Sequence, residues 1–191
     1  MEVLGDLSAF EIFISVVALM TGGYTAYKSF FQGPRITLFT GESVTLVSNG
    51  DKPLMIWVSG VAVNMAAKVG VINPMRVHLK DPSDIEIVGK VTRFVDAKVD
   101  PPSLSPAYAL SVPPHGSTPF HIEASIEYPE GLPNSWVSGK YHAQLQGWVV
   151  GNRSSTKHLT SGFAFEVPDV LEMVLEAREG RFTVLCSECV S

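Results

Sequence analysis

Cysteine is almost missing from this chain of 191 residues: it has two, Cys186 and Cys189, both at the very end. That excludes a disulfide scaffold or a cross-sheet bridge, and it favours a reducing compartment. The first eight residues contain Glu2 and Asp6 but neither Lys nor Arg. Runs of like charge and low-complexity tracts are also missing. A net charge of −5 and a pI near 5.5 argue against nucleic acid as a partner, because such a binder presents a basic face. The chain has no Gly-x-Ser-x-Gly, no phosphate-binding glycine loop and no His-Glu-x-x-His.

What the chain does have is one long apolar run at the front, AFEIFISVVALMTGGYTAYKSFF, residues 9–31. As a helix it is roughly 34 Å long, against a hydrocarbon layer of about 30 Å. Its two charges, Glu11 and Lys28, lie near the ends, where side chains reach headgroups. A cleaved signal peptide would need a basic start and a small-residue cleavage site, and neither is present. The reading is therefore an uncleaved single-pass anchor over residues 1–31. Lys28, Arg35 and Lys52 follow the run while no basic residue precedes it, which places the N-terminus outside and the bulk of the chain in the cytoplasm.

Gln32-Gly33-Pro34 breaks the helix and serves as a linker. From Arg35 the pattern becomes short β segments punctuated by Gly, Pro, Asn and Asp. Strands are expected at 36–40 and 43–48, joined by a Gly41-Glu42 hairpin turn. A long central strand at 53–65 follows, with a bulge at Gly60. Further strands are expected at 75–80, 84–95, 106–112, 118–127, 140–150 and 159–167. Alternation is clearest in two of them. Ile122, Ala124, Ile126 and Tyr128 oppose His121, Glu123, Ser125 and Glu127, which are read as facing water. Tyr141, Ala143, Leu145 and Val149 oppose His142, Gln144, Gln146 and Trp148. After Pro168, Val170, Leu171, Val174 and Leu175 share one side of a predicted helix with Gly180 as its terminator. RFTVLCSECVS then adds a strand or trails as a tail.

Two features resemble the broad immunoglobulin-like class. Ser138-Gly139-Lys140-Tyr141 looks like its tyrosine corner, and Pro113–Phe120 looks like a proline- and glycine-bearing turn before an alternating strand. The resemblance implies an antiparallel β-sandwich over residues 35–167, followed by a C-terminal helix and cysteine-bearing tail over 168–191. It implies no activity. Without a cysteine pair, Trp57 cannot be the tryptophan that stacks on a disulfide in antibody domains.

Cys186-Ser187-Glu188-Cys189 is the sharpest motif. Two thiols three apart can chelate zinc or cycle as a disulfide. A redox pair usually opens a helix in a βαβ unit, and zinc needs two more ligands, whereas His115, His121, His142 and His158 are scattered singly. His121-Ile122-Glu123 with the terminal pair matches the letters of the zinc deaminase signature, but Leu185 stands where proline is expected and the gap is too long. His78 reads as a strand residue, and Trp136 as a loop aromatic covering the core. Asn152-Arg153-Ser154 fits the glycosylation sequon, which means nothing in a cytoplasmic domain. In the helix, Ala18, Gly22 and Ala26 form a face where two helices can meet closely.

The expectation is a membrane-anchored β-sandwich that binds a partner without catalysis and without a cofactor. Its partners are the bilayer, another protein and, through the helix, a second copy. One alternative is a metal- or thiol-dependent enzyme using Cys186 and Cys189. The other is a membrane-complex subunit acting through its helix.

Overall fold

Helix α1 covers the whole apolar run, Ala9–Phe31, and among the described residues ten strands follow it. The computed structural model describes residues 9–31, 33–48, 53–96, 103–130, 135–150, 157–169 and 180–190. The strands are β1 (Ile36–Val47), β2 (Leu54–Asn64), β3 (Gly70–Lys80), β4 (Glu86–Asp96) and β5 (Ser103–Pro106), then β6 (Leu110–Val112), β7 (Gly116–Ile126), β8 (Gly139–Val149), β9 (Lys157–Val167) and β10 (Arg181–Val190).

The alternating residues bury as the period of two requires. Ile122, Ala124 and Ile126 face the interior from β7, and Tyr141, Ala143, Leu145 and Val149 from β8. With Leu38, Leu46, Ile56, Val58, Val77 and Leu79 they form one continuous core. Each fully buried aliphatic side chain contributes roughly 1.5–3 kcal/mol of transfer free energy.

The sheet is a barrel, not an immunoglobulin-like sandwich. Around the ring, β1 pairs with β2, β2 with β7, β7 with β4, β4 with β3, β3 with β8, β8 with β9, β9 with β10, and β10 with β1. Every pairing is antiparallel. The closing seam is β4. Glu86–Lys90 pair with β3, and Lys90–Phe94 pair with β7. A sandwich leaves two sheets with free edges, and here those edges hydrogen-bond to each other. Where β3 and β4 part, β6 pairs with β3 and β5 with β4.

Three local expectations change with the closure. Thr40 and Val44 belong to one strand, β1, with a bulge between them in place of the Gly41-Glu42 hairpin. The irregularity expected at Gly60 is that same bulge, carried on β1, while β2 runs in unbroken register with β7. Gly60 is needed for another reason: a Cβ there would lie 2.3 Å from the Phe39 carbonyl oxygen and 2.5 Å from Phe120 Cζ. Residues 181–190, for which a strand and a tail were both open, are strand β10, which sits between β1 and β9. The helix expected over 169–180 falls on 170–179, outside the described residues.

The tyrosine at the start of β8 does behave as a corner. Tyr141 is buried, its hydroxyl accepts the Val137 N–H at 3.0 Å, and its ring stacks on Phe165 at 5.2 Å. Trp136 meets Tyr141 edge-on at 5.6 Å and donates from Nε1 to the Val47 carbonyl at 3.4 Å. It is buried in the core, which is further in than the covering position expected of a loop aromatic.

Helix α1 stands apart from this core. Its window Phe10–Tyr27 is long and apolar enough to cross a membrane, and none of it is buried inside the protein. Thr25 donates its hydroxyl to the Thr21 carbonyl at 2.7 Å, which satisfies that polar group within the helix. Nothing lies within 4 Å of a Cβ placed on Gly22, so the Ala18–Gly22–Ala26 face is uncovered by the barrel.

Candidate functional site

Six neighbouring strands, in the order β10, β1, β2, β7, β4 and β5, build a cleft of about 300 Å3 on the outer wall of the barrel. Its register is simple. Trp57 on β2 lies directly opposite Glu123 on β7, and Glu123 lies opposite Arg93 on β4. Arg181, the first residue of β10, pairs with Val47 on β1, which in turn pairs with Met55 on β2. Alternation therefore brings two guanidiniums, an indole and a carboxylate to one patch, over apolar walls from Val47, Pro53, Met55 and Leu104.

Glu123 forms the floor. It is 2% exposed, although its strand position faces away from the core. The reading that set it in water beside His121 is wrong, because neighbouring strands roof it over. Trp57 Nε1 donates to Oε2 at 3.1 Å, and the Thr92 hydroxyl reaches Oε1 at 3.5 Å. Arg93 Nε stands 3.7 Å from Oε1, with about half of its own side chain in solvent. A buried carboxylate without such partners would cost several kcal/mol, so the indole and guanidinium hold it there.

Arg181 lies over the ring of the same indole, its Cζ 5.0 Å from the centroid. Among the described residues it pairs with no carboxylate. The cleft thus carries two positive groups and one negative one, with the spare positive charge at the exposed Arg181. A guanidinium held flat on an aromatic ring keeps its fork of N–H donors free for a carboxylate or phosphate edge.

The other candidate residues are placed elsewhere. Cys186 is half-buried opposite Phe165, and Cys189 occupies the register position opposite Phe163. A bulge between Cys186 and Glu188 is what brings both cysteines opposite residues of one face of β9. Among the described residues no group of three or more His, Cys, Asp or Glu is placed to hold a metal. His121 is exposed on β7, three strand positions from β10 with β2 and β1 between, which at about 4.8 Å per strand separates the halves of the deaminase-like motif. His78 and His142 line a second, shallower hollow of about 260 Å3 with Lys80, Glu86 and Gln144. His158 leans on Trp148 at 5.0 Å.

Above the core of β8, Tyr128 and Tyr141 share a hydroxyl contact at 3.4 Å. Burial is the main cause that raises both phenols above their ordinary range.

No known protein family matches the chain, and no curated protein matches it in sequence. Function must therefore be argued from the chain's own geometry. Arg93 and Arg181 carried no mark in the sequence, and Glu123 stood out only in the His121-Ile122-Glu123 match that its strand position argued against. The three meet only through the register of five strands, β4, β7, β2, β1 and β10.

Proposed function

We propose that this protein is a membrane-anchored, non-catalytic binding module that receives a protein partner in the Trp57 cleft, with its barrel on the cytoplasmic side. The carrying observation is the buried Glu123 beneath Trp57 and Arg93, with Arg181 laid over the indole. Groups locked in place by their neighbours and facing a cleft recognise a ligand at low ordering cost. The fitting ligand chemistry is a carboxylate-bearing segment with an apolar side chain: Arg181 takes the acid, while Met55, Leu104 and Val47 take the apolar part. Trp and Arg are also the side chains most often found at binding hot spots. The anchor supports the reading because a bare apolar helix of 23 residues requires an apolar solvent.

The test is site-specific photocross-linking in native membranes. A photoreactive residue replaces Leu104 in the cleft or, as a control, Gln144 on the opposite wall. The proposal expects one discrete adduct from position 104 that disappears with Arg181→Glu. Equal adducts from both positions, or an adduct indifferent to Arg181→Glu, refute it.

A further inference from the structure

The barrel end from which the chain leaves for α1 differs from the rest of the surface. Pro34 and Ile36 pack against Gly70, where a Cβ would come within 3.1 Å of Pro34 Cβ and 2.2 Å of Ile36 Cδ1. The Arg35 carbonyl accepts the Met65 N–H at 2.9 Å. The β2–β3 loop is therefore bound to the linker itself. That loop is also stiff: buried Asn64 donates to the Lys68 carbonyl at 2.6 Å and accepts the Ala66 N–H at 3.0 Å. Beside it, the His115 N–H donates to the Ala66 carbonyl, and the Val150 N–H to the Val71 carbonyl.

These segments present apolar side chains to solvent. Met65 is 66% exposed, Val69 54% and Val150 53%. Ala67, Pro113 and Pro114 are exposed beside them. In the described segments at this end, residues 33–36, 64–72, 110–117 and 149–150, there is no Asp or Glu, although the chain has 19 acidic residues. Arg35, Lys68 and His115 are the titratable groups there. Apolar tips flanked by Arg35 and Lys68, with no acidic side chain in the described segments beside them, fit an anionic lipid surface.

Chain length decides the occupant. Three peptide units separate Phe31, the last residue of α1, from Pro34, so the two Cα atoms lie at most about 11 Å apart. The headgroup layer beyond the hydrocarbon is roughly 5–8 Å thick on each side. With α1 spanning, the linker tethers this rim at, or within a few ångströms of, the headgroup layer. We propose that Met65, Val69 and Val150 insert into the headgroup layer, with Arg35 and Lys68 on anionic lipid, so that the barrel sits upright on the bilayer. The proposal rests on the anchor reading of α1 and is independent of the Trp57 cleft.

The experiment uses the full chain reconstituted in vesicles of phosphatidylcholine and phosphatidylserine. Cys186 and Cys189 are replaced by Ser, and a single environment-sensitive fluorophore is placed at Val69→Cys, at Leu19→Cys in the helix, or at Ser83→Cys at the far end of the barrel. Acyl-chain nitroxides read the helix, and headgroup nitroxides read the rim. The expected result is quenching at Leu19 and, at Val69, a fall to about half intensity or less, with Ser83 unaffected. Quenching at Leu19 with Val69 as aqueous as Ser83 overturns the proposal while leaving the anchor intact. A Val69 probe shielded from water yet untouched by lipid nitroxides means a protein covers the rim, and also overturns it. No quenching at Leu19 refutes the anchor and the rim together.

Discussion

Removing the Glu123 carboxylate is the sharpest test of how the cleft is built. In Glu123→Ala, Trp57 Nε1 loses an acceptor at 3.1 Å and Arg93 loses a partner at 3.7 Å. A hydrogen bond to a charged, buried acceptor is worth about 1.5–3 kcal/mol. The half-exposed Arg93 resolvates, so its share is below about 1 kcal/mol. The variant should lose about 2–3 kcal/mol, a fall in Tm of roughly 5–10 °C for a domain of this size. Glu123→Gln keeps an oxygen for the indole and should lose only about 1 kcal/mol. Thermal and urea unfolding of the full chain in detergent micelles, followed by far-ultraviolet circular dichroism and tryptophan emission, reads both. A double-mutant cycle with Trp57→Phe should return a coupling of about 1 kcal/mol. If Glu123→Ala unfolds within about 0.5 kcal/mol of wild type, the carboxylate is solvated and the cleft floor described above is wrong.

Two further outcomes follow from other parts of the molecule. Tyr128 and Tyr141 have raised folded-state pKa values, so folding favours their protonated forms; the stability they contribute is complete below about pH 10 and declines as pH climbs above it. Alkaline titration should show Tyr128 and Tyr141 ionising only as the barrel unfolds, and Tyr128→Phe should shallow the fall in stability; ionisation of both before unfolding would contradict this. In the helix, Gly22→Ile should lower dimer content in a membrane association assay, while Leu19→Ile should barely change it; equal effects would mean the small-residue face makes no contact.

Strand alternation was legible because burial on one face imposes a period of two on the sequence itself. Ile122, Ala124 and Ile126 could be assigned to the core without any partner strand in view. Closure was not legible in that way. Whether β3 meets β4 or faces it across a gap depends on stagger around the whole ring, and no local residue encodes that. The Ser138–Tyr141 corner is real, yet it reports how one strand begins and not how the sheet ends. Glu123 failed for a related reason: alternation says which side of the sheet a residue occupies, not what its neighbours lay over it. Gly41-Glu42 has the composition of a turn, but β2 continues past it unbroken, and the ladder absorbs the extra residues as a bulge.

Because β10 fills the slot between β1 and β9, the barrel cannot close until β10 has been made. Thr45 and Thr183, whose hydroxyls meet at 3.0 Å, are 138 residues apart in the chain. At about 5–20 residues per second, several seconds pass between the emergence of β1 and that of its partner. Through that interval β1 offers an unpaired row of backbone N–H and C=O groups, and β9 offers another from the time it is made. Newborn copies close together would present these same edges to one another. A stop codon that removes β10 would therefore leave not a shorter barrel but an adhesive one.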